Sequence, residues 1–201
     1  MNILSNHRFK YALISGALIG FSFPPFFGFF AFVGFVPLIT IWSSSSIRES
    51  AKYSYIAALV ANIISLYWIG LNSGAELIPV IASLVAAVLY LSLFWALLGA
   101  ACSYFIKRNI NGLYLIPALW VSMELLRSYG PLAFSWSSLA LTQSNFLPIL
   151  QIMDITGSEG VSFWVLMVNI FLFSLVQQKT CLLYTSPSPR DQRGSRMAAY
   201  A

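Results

Sequence analysis

Six apolar runs occupy most of the chain between residues 9 and 176, and short polar or proline-containing breaks separate them. A helix needs roughly 20 apolar residues to cross a bilayer, and inside hydrocarbon an unpaired backbone amide has no water to bind. Each crossing run must therefore be helical. The pattern predicts an all-α, polytopic membrane bundle of about six transmembrane helices. The predicted spans are 9–23, 26–42, 53–71, 77–106, 113–126 and 161–176.

Charged residues make up 8% of the 201-residue chain, whereas soluble domains carry roughly a quarter. A surface so poor in charge fits lipid, and a hydrophobic content of 59% argues against intrinsic disorder. The net charge of +5 could suit nucleic acid. The basic residues lie at the ends of apolar runs rather than on one element, however, so we expect membrane lipid and no nucleic acid as partner.

The basic residues of the short connections alternate with the predicted spans. If six spans cross in turn, these residues all fall on one side of the membrane, and the connections on the other side hold almost none. The positive-inside rule then places the N-terminus and the C-terminal tail in the cytoplasm. The residues concerned are Arg8 and Lys10, Arg48 and Lys52, Lys107 and Arg108, and Lys179.

The connection from residue 128 to residue 160 is unusual because it is long and still apolar. Long connections are usually functional or disordered, and its aliphatic and aromatic content argues against disorder. We expect a re-entrant or interfacial segment on the outer face, which survives at that depth only if it lines a protein cavity. Trp136 would suit the interface, with its ring buried and its N–H in water.

Glu124 and Arg127 are spaced i, i+3, so both side chains project from one face of the fifth predicted helix. Charges in a span are costly and often functional. Two interpretations stay open: a local ion pair that anchors the outer end of the helix, or a pair that faces a substrate.

The sequence predicts no metal site and no cofactor. One histidine, His7, and two cysteines, Cys102 and Cys181, cannot supply the four ligands of a zinc site. No P-loop, HExxH, GxSxG or CxxC motif occurs. Cys102 lies inside an apolar run with no base nearby, so we expect it to be structural.

Several short blocks occur in a fixed order along the chain. They are GFSFPPF at 20–26, Tyr67 with Trp68, PALW at 117–120 followed by Glu124 and Arg127, AFSW at 133–136, Gln143, and Gly157, Gly160, Val161, Ser162 and Phe163. Taken in order, these blocks resemble the N-terminal membrane part of bacterial apolipoprotein N-acyltransferase, and the resemblance covers about residues 11–176.

That resemblance implies an acyltransferase of lipoprotein biosynthesis in the bacterial cytoplasmic (inner) membrane. The family moves an acyl chain from a phospholipid donor to a cysteine thiol, and then to the α-amino group of the lipidated N-terminal cysteine of an apolipoprotein. Its nitrilase-like catalytic domain, with a Glu–Lys–Cys triad, lies outside the membrane after a seventh span. The resemblance therefore implies that residues 1–179 are the transmembrane N-terminal domain, that the triad is absent from this chain, and that the chain alone is inactive.

The resemblance also suggests which residues line a substrate vestibule. Trp136 is the first candidate, and Glu124, Arg127 and Gln143 follow. The family loop reads GFPW where this chain has Ala133 and Ser135 in place of glycine and proline. The backbone of this loop is therefore expected to differ from that of the family, since proline fixes φ and glycine relaxes it.

The tail from residue 180 to residue 201 changes character, because SPSPRDQRGSRM is polar and basic. We expect it to be non-native or disordered from about Cys181. The apolar helices also suit two other functions: a small-molecule transporter or channel, and a noncatalytic membrane scaffold. A transporter would need ionisable residues at mid-bilayer and often internal repeats, and no repeat is visible.

Overall fold

The computed structural model describes residues 3–74, 76–108 and 111–184, and every regular element within those ranges is helical. This confirms the all-α prediction. Two of the helices in the described ranges, Leu77–Arg108 and Met153–Gln177, are long and apolar enough to cross a membrane. The α-helices are α1 (Ile3–Gly20), α2 (Ala31–Gly34), α3 (Val36–Ser44), α4 (Ile47–Ser65), α5 (Leu77–Arg108), α6 (Ile116–Arg127), α7 (Leu147–Leu150) and α8 (Met153–Tyr184).

The second predicted span, 26–42, is broken rather than continuous. A 3-10 turn, Gly28–Phe30, leads into α2, and α3 begins anew at Val36 with Pro37 in its first turn. In a continuous helix the Phe35 N–H would donate to the Ala31 carbonyl, but the side chain of Asn169 on α8 lies between these two groups. It accepts from the Phe35 N–H at 2.9 Å and donates to the Ala31 carbonyl at 2.8 Å. A side chain inserted into the i to i−4 ladder is a known cause of a helix break.

Helix α4 begins at Ile47, six residues before the predicted span, because Ser46 and Glu49 form a capping box. The Ser46 hydroxyl accepts from the Glu49 N–H at 3.3 Å, and the Ser46 N–H donates to the Glu49 carboxylate at 3.1 Å. Ser43 and Ser44 belong to α3, and the chain turns at Ser45.

The Glu49 carboxylate has a pKa below its usual value of 4.5, first because the Ser46 N–H and hydroxyl donate to it and then because Arg8 lies 2.6 Å away. A group with a lowered pKa in the folded state stabilises the protein above its ordinary pKa and loses that contribution as the pH falls through the folded value. We expect Glu49→Gln to lower the melting temperature at about pH 7 and to have little effect at about pH 3. Thermal unfolding in detergent at both pH values checks this, and an equal loss at both would contradict it.

Helices α1 and α4 pack closely through small residues. Gly16 and Gly20 of α1 form a GxxxG spacing, which favours close helix approach. A Cβ atom on Gly20 would lie 2.8 Å from the Cβ of Ile64, and one on Gly16 would overlap the carbonyl of Ala57. The pair is therefore a packing feature of the bundle.

An aromatic cluster joins α5 and α6 to the break before α3. The rings of Phe35 and Trp120 are 4.7 Å apart and nearly perpendicular, and those of Trp95 and Trp120 are 5.0 Å apart. All three side chains are buried, so the N-terminal half of α6 is fixed against the core. Cys102 on α5 is fully buried, which agrees with the structural role expected for it.

Candidate functional site

The connection between α6 and α8, residues 128–152, is called the outer segment below. It contains one 3-10 helix, Leu139–Gln143, and the single-turn helix α7. It folds back on the helix ends that flank it, and four buried polar side chains hold its backbone. These four are called the anchor residues: Glu124, Arg127, Gln143 and Ser162.

Glu124 binds the outer segment through both carboxylate oxygens. Its Oε1 accepts from the backbone N–H of Leu139 at 2.7 Å and from the indole N–H of Trp120 at 2.9 Å. The hydroxyl of Ser138 donates to Oε2 at 3.5 Å. Glu124 therefore connects the aromatic cluster of the core to the middle of the outer segment.

Arg127 binds Ser137, the residue immediately before the Ser138 that contacts Glu124. Its Nη2 donates to the carbonyl of Ser137 at 3.1 Å, and its own backbone carbonyl accepts from the N–H of Phe134 at 3.0 Å. Its Nε has no hydrogen-bond partner. In the part of the chain that the structure describes, the one ion pair within 4 Å is that of Arg8 and Glu49. Glu124 and Arg127 therefore form no direct ion pair within 4 Å, and each side chain binds the outer segment, although the two charges still interact at longer range.

Gln143 and Ser162 complete the attachment of the outer segment. Gln143 donates through Nε2 to the carbonyl of Gly28 at 3.0 Å, which ties the outer segment to the turn after α1. A Cβ on Gly28 would overlap the Thr142 carbonyl, so glycine permits this approach. The Ser162 hydroxyl on α8 accepts from the N–H of Ala140 at 3.1 Å. Ser162 belongs to one of the sequence blocks that resemble the family, but the sequence gives it no role, because its partner is a backbone amide 22 positions away.

Trp136 stands apart from the anchor residues. Its side chain is 67% exposed on the protein, and burial of its ring at a membrane interface stays a prediction. The neighbouring Ser137 and Leu139 are buried. Its ring lies 5.8 Å from that of Trp68, which follows α4.

The two tryptophans border a cavity of about 350 Å³, which falls within the usual size range of ligand pockets. None of the described residues that line it is ionisable, and two of them, Ser65 and Ser144, carry hydroxyl groups. The arrangement suits an uncharged, largely apolar ligand. The lining residues are Phe23, Pro24, Ser65, Trp68, Trp136, Leu141 and Ser144.

Among the described residues, no three His, Cys, Asp or Glu side chains come together in a way that could hold a metal ion. Cys102 is fully enclosed by the core and does not reach the cavity. What the geometry of the cavity offers is an apolar surface that can bind and orient a ligand.

The family model for the apolipoprotein N-acyltransferase N-terminal domain matches residues 15–171. The chain belongs to this family. The match includes all four anchor residues, Trp68 and Trp136, so the cavity described above lies wholly within the apolipoprotein N-acyltransferase N-terminal domain.

Proteins named apolipoprotein N-acyltransferase are similar to the chain over most of its length. One from Geobacter metallireducens is 33% identical over 172 residues, covering 83% of the chain and 33% of the relative. Another from Chlorobaculum tepidum is 25% identical over 186 residues, covering 88% of the chain and 33% of the relative. A third from Borreliella burgdorferi is 30% identical over 155 residues, covering 76% and 29%. The chain thus spans about a third of the length of these relatives.

The tail predicted to be non-native from about Cys181 lies largely outside the described residues. Helix α8 continues to Tyr184, and residues 185–201 fall beyond the described range. The proposed boundary at residue 179 therefore stays a prediction.

Proposed function

We propose that this chain is the membrane domain of an enzyme that N-acylates the lipidated N-terminal cysteine of apolipoproteins, with a phospholipid as acyl donor. The observation that carries the proposal is the family match over residues 15–171. In this proposal, residues 1–179 form the transmembrane domain of a lipoprotein-biosynthesis enzyme in the bacterial inner membrane. The reacting thiol belongs to a nitrilase-like domain with a Glu–Lys–Cys triad, because Cys102 is enclosed in the core.

The roles proposed for the site residues follow from their contacts. Trp136 faces the cavity and contacts the substrate. Glu124, Arg127 and Gln143 are buried and bind backbone groups, so they position the outer segment instead of touching the substrate themselves. A transporter or channel function gains no support, because the two intramembrane charges are both occupied by the outer segment.

The proposed topology has six membrane crossings with a cytoplasmic N-terminus. Contacts at the two ends of the bundle support it. At one end, Arg8 of the N-terminal region pairs with Glu49, which lies beside Arg48 in the second predicted cytoplasmic region. Lys107 of the third region donates to the carbonyl of Ser45 in the second region. The three predicted cytoplasmic regions therefore lie together. At the other end, the Gln143 side chain of the outer segment donates to the carbonyl of Gly28 in the turn after α1. Trp136 of the outer segment packs on the ring of Trp68, which follows α4. The three predicted outer connections therefore lie together.

Cysteine labelling tests this topology. In a background with Cys102→Ala and Cys181→Ser, a single cysteine is placed either at Ser73 or at Arg48, both of which are exposed. A membrane-impermeant maleimide added to intact spheroplasts is expected to label Ser73→Cys and to label Arg48→Cys only after the membrane is opened. Labelling of both positions from outside would contradict the topology.

A chimaera tests the function. The domain, residues 1–179, replaces the corresponding part of the Geobacter metallireducens relative in a strain whose own N-acyltransferase is depleted. We expect growth, and mass spectrometry of a lipoprotein N-terminal peptide is expected to show the N-acyl group. Trp136→Ala should reduce N-acylation by about tenfold or more, which corresponds to a loss of at least about 1.4 kcal/mol in transition-state stabilisation.

Trp164→Ala is the matched control for Trp136→Ala. Trp164 is also exposed, at 41%, but it lies on α8 against Phe32 and does not line the cavity. N-acylation in the chimaera should be unchanged by it. A folded, membrane-inserted chimaera that leaves the lipoprotein without an N-acyl group would refute the proposed function.

A further inference from the structure

The two ends of the helical bundle differ in charge. At the end that carries the outer segment, the described charges that reach the surface are the carboxylates of Glu76, Asp154 and Glu159, and Arg127 is buried. At the other end, the first turns of α4 meet the N-terminal half of α1 and the last turn of α5. Among the described side chains, this second end, called the basic end below, carries six cations and one carboxylate. They are Arg8, Lys10, Arg48, Lys52, Lys107 and Arg108, with Glu49.

The carboxylate of the basic end is already occupied. Glu49 lies 2.6 Å from Arg8 and also accepts from the backbone N–H and the hydroxyl of Ser46. Within the described ranges, no other acidic side chain lies within 4 Å of a basic one. The other five cations of the basic end therefore have no carboxylate to neutralise them. Positive charges gathered on one surface create a potential that attracts anions.

Four of these cations lie on the packed helices α4 and α5, and they are called the basic cluster. Arg48 and Lys52 are one turn apart on α4 and share a helix face, and Lys107 and Arg108 are the last two residues of α5. All four side chains are exposed. Lys107 donates to the carbonyl of Ser45, immediately before the N-cap of α4, so the two helix ends are held together.

Two tyrosines contact members of the basic cluster without neutralising them. The guanidinium carbon of Arg108 lies 5.0 Å from the ring centroid of Tyr104, and the Nζ of Lys52 lies 5.8 Å from that of Tyr53. An aromatic ring attracts a cation through its quadrupole and leaves the net charge unchanged. The positive charges therefore stay available to an anion.

Apolar side chains are exposed directly beside the basic cluster. Ile47 precedes Arg48, and Tyr104 and Phe105 lie one turn before Arg108; all three are exposed. A partner that matches this surface needs an anionic group with hydrocarbon next to it. A phospholipid has both, whereas a nucleic acid would leave the apolar residues in water. A zwitterionic headgroup fits less well than an anionic one, because its ammonium group adds positive charge.

We propose that the basic cluster binds the headgroup of an anionic phospholipid, such as phosphatidylglycerol, in preference to a zwitterionic one. Clusters of lysine and arginine at the cytoplasmic ends of membrane helices attract anionic lipids. The inference goes beyond the proposed function, because this lipid lies at the end of the bundle opposite the cavity and is not the acyl donor. The proposed topology places it in the cytoplasmic leaflet, and only that placement rests on the topology.

Native mass spectrometry of the full chain in detergent tests the proposal. The chain is titrated with phosphatidylglycerol or with phosphatidylcholine that has the same acyl chains. At low ionic strength we expect phosphatidylglycerol to bind about tenfold more tightly, since each nearby cation contributes to the attraction of an anionic lipid. The preference should shrink as salt is added, because salt screens exposed charges.

Two double variants locate the site. Arg48→Gln with Lys52→Gln neutralises the α4 half, and Lys107→Gln with Arg108→Gln neutralises the α5 half. Each should weaken phosphatidylglycerol binding about tenfold and leave phosphatidylcholine binding unchanged. The matched control, Lys107→Arg with Arg108→Lys, keeps both charges and should bind like the unchanged chain. The α4 variant leaves the contact of Lys107 with Ser45 intact, so agreement between the two separates loss of charge from loss of folding.

Three results would overturn the inference. Equal binding of the two lipids would show that the cations do not select the headgroup. A preference that survives both double variants would show that the anionic lipid binds elsewhere. Displacement of bound phosphatidylglycerol by excess inorganic phosphate would show a site for a free anion instead of a lipid. The assay involves no acyl transfer and no leaflets, so an inactive chimaera or an unexpected labelling pattern would refute the proposed function or topology and leave this site standing.

Discussion

Replacing Glu124 with alanine is expected to lower the free energy of unfolding by about 3–5 kcal/mol. The change removes the acceptor of the Leu139 and Trp120 N–H groups, which are buried and have no water to replace it. It also leaves the buried charge of Arg127 without its compensating carboxylate. Thermal unfolding in detergent and chymotrypsin cleavage of the outer segment measure the effect, and cleavage should become much faster than in the unchanged chain.

Two further variants show whether the acceptor or the charge matters more. Glu124→Gln keeps one oxygen that accepts from Leu139, so it should recover part of the lost stability. Glu76→Ala removes an exposed carboxylate that precedes α5, and it should change stability by less than about 0.5 kcal/mol. If Glu124→Ala were as harmless as Glu76→Ala, the anchoring role of Glu124 would have to be abandoned.

The all-α class and the approximate place of the helices could be predicted from the sequence, because hydrophobic runs mark them, but their number could not: the described residues form eight α-helices, and two helices are long and apolar enough to cross a membrane. The start of α4 was predicted six residues late, although Ser46 and Glu49 have the spacing of a capping box that marks it. The break at Phe35 was not readable in the same way. It depends on Asn169, which lies 134 positions further along the chain, and no local pattern reports such a partner.

For the site, the sequence singled out residues that the structure places at the outer segment, but it did not show what they contact. The spacing of Glu124 and Arg127 showed that they share a helix face, yet their partners are backbone groups of residues 137 and 139. Backbone groups carry no sequence signature, so an ion pair was the natural first interpretation. Ser162 was missed for the same reason, and the meeting of Trp68 with Trp136 depends on how two separate connections fold together.

Replacing Asn169 with alanine is expected to cost about 2–5 kcal/mol, because two buried backbone groups lose their partners. The Phe35 N–H would lose the Asn169 side-chain oxygen as acceptor, and the Ala31 carbonyl would lose the Asn169 side-chain amide as donor. Asn169→Asp should lower the free energy of unfolding by as much, because a carboxylate accepts from the Phe35 N–H but cannot donate to the Ala31 carbonyl. Thermal unfolding in detergent measures both variants.

Ser174→Ala is the control on the same helix, since Ser174 binds only the carbonyl of Ile170 one turn earlier and should matter little. A stable Asn169→Ala protein would mean that α2 and α3 can close into one continuous helix.

The effect of Asn169→Ala should also reach the outer segment. Phe35 packs on Trp120, and Trp120 donates to Glu124, so Asn169→Ala and Glu124→Ala lie along one chain of contacts. We expect their double variant to deviate from additivity by about 0.5 kcal/mol or more, whereas variants at independent sites add.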